Sequence, residues 1–163
     1  GHGPPICRAL PGHGLRPGMA DLTNTAKTLT GQCLCGAVTV TAHWVSRGAS
    51  ACHCRMCQRW SGSAVWCISA NAVDASGPVA TYRSSAFAER AFCSVCGSHL
   101  WIHDDGGDYD LSPGLFDDLT DAPLVREVYA DRAMACVTLS GDHPRITAED
   151  YENAHKSVPD HRA

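Results

Sequence analysis

The chain has no long apolar run: nowhere in its 163 residues does a stretch approach the roughly 18 to 20 apolar residues that a membrane-spanning helix requires. A helical membrane anchor is thereby excluded, and no membrane partner is expected. Excess basic charge is also missing. Thirteen Lys and Arg stand against seventeen Asp and Glu, a formal net charge of -4, so the electropositive surface on which nucleic-acid binding rests is absent and no nucleic-acid partner is expected. Residues 1–17 mix Gly, Pro, His and Arg without the apolar core of a secretory signal. Nothing there routes the chain to an oxidising compartment, and a cytoplasmic location is expected. Fixed-period repeats and long low-complexity segments are missing too, which leaves one domain with its own core.

Residues 1–29 read as a disordered or artificial leader that carries Cys7, with Met19 as the native start. Residues 30–147 read as the folded domain, and residues 148–163 as a short helix and polar tail. From Thr30 onward short β-prone segments alternate with turn residues, the pattern of a mainly β domain. Strands are expected at Ala37–Ala42, Val65–Ala70, Val79–Arg83, Ser98–His103 and Leu124–Tyr129, with another from Tyr109 that breaks at Pro113 and Gly114. Two helical signals compete: a turn at Arg55–Trp60, and Thr147–His155, which opens with a T-x-x-D cap. His143, His155 and His161 fall in or near the polar tail and are expected to face solvent.

What the chain has in abundance is cysteine, ten in all. Apart from Cys7, Cys67 and Cys136, they fall into three clusters: Cys33-Leu-Cys35-Gly, Cys52-His-Cys54-Arg-Met-Cys57 and Cys93-Ser-Val-Cys96-Gly. Short C-x-C and C-x-x-C spacings bring two sulfurs of one tight turn to the same metal, and Gly36 and Gly97 supply the backbone freedom such turns need. Seven thiolates divide naturally into four and three, because a closed structural zinc takes four ligands and a catalytic zinc keeps three with one position open. Cys33, Cys35, Cys93 and Cys96 would make the structural site, and Cys52, Cys54 and Cys57 the catalytic one, so two Zn2+ ions are expected. Disulfides, a C-x-x-C redox pair at Cys54/Cys57 or Cys93/Cys96, and a second structural zinc completed by a histidine are the alternatives. His53, His99 and His103 are the nearest histidines, and His53 is expected to point outward from its knuckle. Cys67 and Cys136 read as small core residues.

Four motifs in order, G-x-C-x-C-G-A-V at Gly31–Val38, C-H-C-x-x-C-x-x-x-S-G at Cys52–Gly62, Y-x-S-S at Tyr82–Ser85 and R-x-F-C-x-x-C-G-S-x-L at Arg90–Leu100, resemble the glutathione-dependent formaldehyde-activating enzyme family, which includes centromere protein V-like proteins. The resemblance runs from about Gly31 to about Thr147. It implies a tent-like arrangement of small antiparallel β-sheets stapled by zinc, and the same division of the seven cysteines. It also implies carbon-sulfur lyase chemistry on adducts of a small thiol such as glutathione with formaldehyde or a related aldehyde. Because related sequences include chromatin-associated proteins, a non-catalytic zinc-stabilised binding module of the same fold is the alternative. Glu127 and the Ala135-Cys136 pair stand where some members carry a histidine and an aromatic residue, a departure that bears on the substrate more than on the fold.

Three thiolates lower the Lewis acidity of zinc, so the second site is suited less to activating water than to binding a substrate sulfur as thiolate. Arg55, Arg59, Arg83 and Arg90 are candidates to clamp the carboxylates of a glutathione-like thiol, though each also reads as a surface arginine. Trp60 and Trp66 could wall a pocket or fill a core. Ser61 and Ser63 could donate to the site or cap a turn, and Tyr82 reads as a half-buried strand residue. No general acid is assigned.

Overall fold

The computed structural model describes residues 25–155. The expected leader up to residue 24, with Cys7, and the tail from residue 156, with His161, lie outside the described residues. Eleven strands and two short helices follow one another among them: β1 (Thr25–Gln32), β2 (Thr39–Ser46), β3 (Ala49–Cys52), α1 (Arg55–Ser61), β4 (Val65–Ala70), β5 (Ala72–Ser76), β6 (Val79–Arg83), β7 (Ala88–Cys93), β8 (His99–Asp104), β9 (Tyr109–Leu111), β10 (Leu124–Val128), β11 (Arg145–Ile146) and α2 (Ala148–Ala154). The mainly β class is as the turn spacing indicates. β4 and β6 occupy the expected residues, and β8 and β10 shift from expectation by one residue.

β1 opens at Thr25, inside the stretch that composition assigned to the leader. Its register against β2, from Thr25 opposite Ser46 to Gln32 opposite Thr39, is what makes it a strand, and that pairing is invisible in its own polar composition. β2 in turn begins two residues later than its alternation suggests and runs four residues further. Trp44 takes φ 55 and turns its ring outward, so that Val45 rather than Trp44 points inward beside Val40 and Ala42.

β1, β2 and β5 form a three-stranded antiparallel sheet. The remaining strands join in an eight-stranded sheet of order β11-β10-β3-β4-β9-β8-β7-β6. Most of its pairs are antiparallel; β10 departs from this by running parallel to both β3 and β11. Two apolar cores result. One joins the two sheets through Leu29, Val38, Val40, Ala42, Ile68, Leu100, Trp101, Leu111 and Phe116. The other gathers Val65, Cys67, Ile102, Val128, Tyr129, Ala148 and Tyr151 around Cys52, Cys54 and Cys57. β8 spans both, since Leu100 and Trp101 belong to the first and Ile102 to the second.

Helix α2 closes the second core. Thr147 Oγ1 accepts from the backbone N–H of Asp150 (3.1 Å), the cap expected from the sequence, and Ala148 and Tyr151 are buried. Tyr151 packs on Tyr129 with ring centroids 5.4 Å apart. Cys67 is buried as expected, but Cys136 is exposed. It follows the short 3-10 turn at Ala130–Arg132, in an irregular stretch that has no sheet partner to bury it.

Candidate metal centre

Two tight turns of matching geometry carry the first four cysteines. In one, the backbone N–H of Gly36 bonds to Cys33 O (3.0 Å) and that of Cys33 to Val38 O (3.1 Å); in the other, Gly97 N–H bonds to Cys93 O (2.8 Å) and Cys93 N–H to Ser98 O (2.9 Å). Gly36 and Gly97 both sit at φ 75, the left-handed conformation in which a side chain is costly. The turns face each other although they lie on different sheets, and Leu34 N–H reaches Ser98 Oγ at 3.0 Å. The sulfurs of Cys33, Cys35, Cys93 and Cys96 all lie within 4.8 Å of one another.

The second group is built at the end of β3 and the start of α1. Cys52 ends β3 between Val65 and Val128 of its neighbours. Cys54 is the N-cap of α1, its Sγ accepting from Cys57 N–H at 3.5 Å, so the first turn of the helix folds the third sulfur back onto the other two. All three sulfurs lie within 4.8 Å of one another, and the residues are at most 1% exposed. The sulfurs thus gather as the same four and three that spacing set apart.

The donor sets fit a metal. A tetrahedral ion with sulfur at about 2.3 Å holds its ligand sulfurs about 3.8 Å apart. Cys33 and Cys35 are separated by 3.6 Å and Cys35 and Cys93 by 3.9 Å, close to that edge and far beyond a disulfide bond. All seven are free cysteines. Charge leads to the same conclusion. Hydrogen bonds from the Cys52 and Cys57 thiols hold Cys54 down to about 2, while burial, followed by bonding to the other two sulfurs, pushes Cys52 well up. Burial thus opposes negative charge on the group as a whole, and three thiolates this close together need a cation opposite them. In the other group the Ser98 hydroxyl and backbone bring Cys96 down to about 5. Both groups could hold a metal ion, and all-sulfur donors are consistent with zinc.

Around the triad three sequence readings are corrected. His53 does not point outward: it is 1% exposed, and its Nε2 donates to Glu127 Oε1 at 2.8 Å. The parallel pairing of β10 with β3 brings Glu127 beside the knuckle. Nor does His143 face solvent, for its side chain is 3% exposed and Nε2 donates to Glu127 Oε2 at 2.5 Å. Arg145 Nε adds a third contact at 3.1 Å. Although burial opposes it, the hydrogen bonds from His143 and His53 bring the Glu127 carboxyl below its ordinary range.

The third correction is Arg90, which is buried at 3% exposure, whereas Arg55, Arg59 and Arg83 are exposed. Its Nη2 lies 3.7 Å from Cys57 Sγ, and its guanidinium sits 4.8 Å from the centroid of the Trp60 ring. β7 is buried on both faces: Ala91 and Cys93 enter the first core, and Arg90 lies opposite Ile102 of the second. Arg90 and Ala91 are neighbours and so point to opposite faces, and both faces of the strand are covered, so alternation alone could not tell the buried charge from an exposed one.

The remaining candidates lie further out. Ser61 Oγ donates to Cys57 O (2.9 Å) and thus ties down the helix turn. Trp66 and Tyr82 are 40% and 66% exposed, so neither is a core residue. His103 stacks on Tyr109. His99 stacks on Trp60 with centroids 3.8 Å apart and lines a cleft of about 730 Å³ with Thr30, Gln32, Leu34, Ser98 and Asp117. No histidine among the described residues joins the sulfur groups.

The family model described as glutathione-dependent formaldehyde-activating enzyme matches residues 28–132, a span that contains both sulfur groups and the strands that carry them. The chain belongs to this family. It is 30% identical over 125 residues to a Schizosaccharomyces pombe protein named as an uncharacterized lyase, covering 74% of this chain and 91% of that one. It is also similar to a crystal structure of a Rhodobacter sphaeroides protein, at 18% identity and TM-score 0.48, over 72% of this chain and 99% of the other.

Proposed function

We propose that the protein is a zinc-dependent carbon-sulfur lyase, which makes or cleaves the adduct of a small thiol such as glutathione with formaldehyde or a related small aldehyde. Membership of the formaldehyde-activating family and the lyase name of the yeast relative support the reaction class. The observation that carries the reading is the buried group of three cysteine sulfurs, one donor short of a closed tetrahedral set. A zinc ion held there by Cys52, Cys54 and Cys57 would supply affinity for a substrate sulfur and hold it as thiolate. The apolar wall of Val65, Ile102, Val128 and Tyr151 keeps water away from that sulfur. The His53–Glu127 bond fixes the loop between Cys52 and Cys54, which orients two of the three donors. Cys33, Cys35, Cys93 and Cys96 form the structural site in this reading. A reducing cytoplasm suits seven free cysteines.

The test is metal quantification on the purified protein, with calorimetry against glutathione and its S-methyl derivative, which cannot present a thiolate. Two zinc ions per chain and binding of glutathione alone are expected. Equal affinity for the two ligands would remove sulfur coordination as the basis of recognition.

One feature favours a second reading, a zinc-stabilised binding module without catalysis: the triad is closed off, and the 730 Å³ cleft is lined by other residues. X-ray absorption at the zinc edge separates the two, since a second site with four protein donors is structural and one with three and an exchangeable ligand is not.

A further inference from the structure

Arg90 holds a donor that the fold does not use. Nη2 is turned to Cys57 Sγ, but Nη1 is buried and has no hydrogen-bond partner. None of the ion pairs among the described residues includes Arg90. Burying a guanidinium with an orphaned N–H carries a penalty that folding alone gives no reason to keep. The Trp60 ring over the guanidinium holds it in place through its π face without consuming a donor. Trp60 in turn stacks on His99, a wall of the 730 Å³ cleft, so a continuous stack leads from the cleft through His99 and Trp60 to Arg90 and the triad.

We propose that Arg90 is the anion contact of the triad site, its Nη1 donating to an anionic oxygen of a ligand whose sulfur lies at Cys52, Cys54 and Cys57. The position of the sulfur rests on the function proposed above, whereas the anion contact rests on Arg90 itself. Nη2 lies 3.7 Å from Cys57 Sγ, so the guanidinium stands against the sulfur group itself, where a ligand whose sulfur joined the three cysteines would bring its substituents near the unused Nη1. The ligand class is therefore a small thiol with an oxygen anion one or two bonds beyond the carbon attached to sulfur. In adduct formation this oxygen is that of the aldehyde: the thiolate sulfur forms a bond to the carbonyl carbon, the π pair moves to oxygen, Nη1–H donates to the resulting alkoxide, and a solvent proton completes the hydroxyl. Cleavage reverses these steps.

Stable thiols test the contact without turnover. Calorimetry of the zinc-loaded protein should show mercaptoacetate binding at least tenfold more tightly than mercaptoacetamide, which has the same shape and sulfur but no anion. Arg90→Met should abolish this ratio while retaining zinc, and Arg90→Lys should keep part of it. The proposal is overturned if the wild-type protein does not distinguish acid from amide, a comparison that needs no variant to fold, or if folded Arg90→Met retains the preference. S-methyl mercaptoacetate separates the two layers. Should it bind as tightly as mercaptoacetate, the sulfur reading fails, while Arg90 still stands or falls on the acid-to-amide ratio. Turnover provides a second readout: loss of one donor to a developing oxyanion lowers kcat by about 10²–10³-fold, and unchanged kcat in Arg90→Met overturns the catalytic step.

Discussion

Glu127 is 4% exposed and receives His53, His143 and Arg145 on its two oxygens. Removing one member of a buried charged network leaves the others without a partner, which costs about 3–5 kcal/mol. Glu127→Ala should lose stability of that order in urea denaturation of the zinc-loaded protein, and Glu127→Gln less, because the amide still accepts one bond. The pH dependence follows from the direction of the shift. The folded carboxyl titrates below the ordinary 4.5, so its stabilising contribution is complete above that pH and disappears as the pH falls through the lowered value. Protonation of any cysteines that hold zinc in the loaded proteins destabilises both in acid, so the informative quantity is the difference between them. The gap between wild type and Glu127→Gln should narrow below pH 4.5, and a gap that stays constant into acid would show that the carboxylate charge contributes nothing.

At the scale of elements, the knuckles and helix caps were legible in sequence because every interaction that shapes them is local. C-x-C-G and C-x-x-C-G foretold two turns with left-handed glycines, and T-x-x-D foretold the cap of α2. A Cβ on Gly97 would meet nothing within 4 Å, so Gly97→Ala isolates the backbone cost of φ 75, roughly 1–2 kcal/mol, from any clash. Thr147→Ala should cost about 1 kcal/mol through the lost cap and, because Tyr151 sits on the second core, should loosen the wall beside the triad. Thermal melts of the zinc-loaded variants measure both. What sequence could not show was pairing at a distance. β1, β3 and β11 are too polar or too short to announce themselves, and β10 joins β3 in parallel from more than seventy positions away. That pairing creates the contact of His53 with Glu127, 74 residues apart. Local pattern assigned His53, Glu127 and His143 no common place, and it left Arg90 among the surface arginines, because burial there depends on cover over both faces of β7.

Across the whole molecule the two sulfur groups hold different things together. Cys33 and Cys35 follow β1 and lead into β2, in the three-stranded sheet, while Cys93 and Cys96 join β7 to β8 in the eight-stranded one, so a metal shared by all four ties the sheets together over the first core. Cys52, Cys54 and Cys57 span only six positions of one loop and lie inside a core that Val65, Ile102, Val128 and Tyr151 already fill. Metal binding at a site that organises distant chain segments becomes folding free energy, about 10 kcal/mol or more in small zinc domains. Closing a loop of a few residues organises little, and neutral thiols left behind behave as small apolar side chains. Cys96→Ser should therefore unfold the domain, while Cys57→Ser should yield a folded chain with one zinc fewer and no thiol–aldehyde activity. Metal content with far-UV and near-UV circular dichroism reads both. A Cys96→Ser protein that keeps two zinc ions and its melting temperature would dissolve the four-cysteine assignment. A Cys57→Ser protein that collapses as completely as Cys96→Ser would make the triad a second structural site, because the core around it would then be shown to depend on the metal rather than to enclose it.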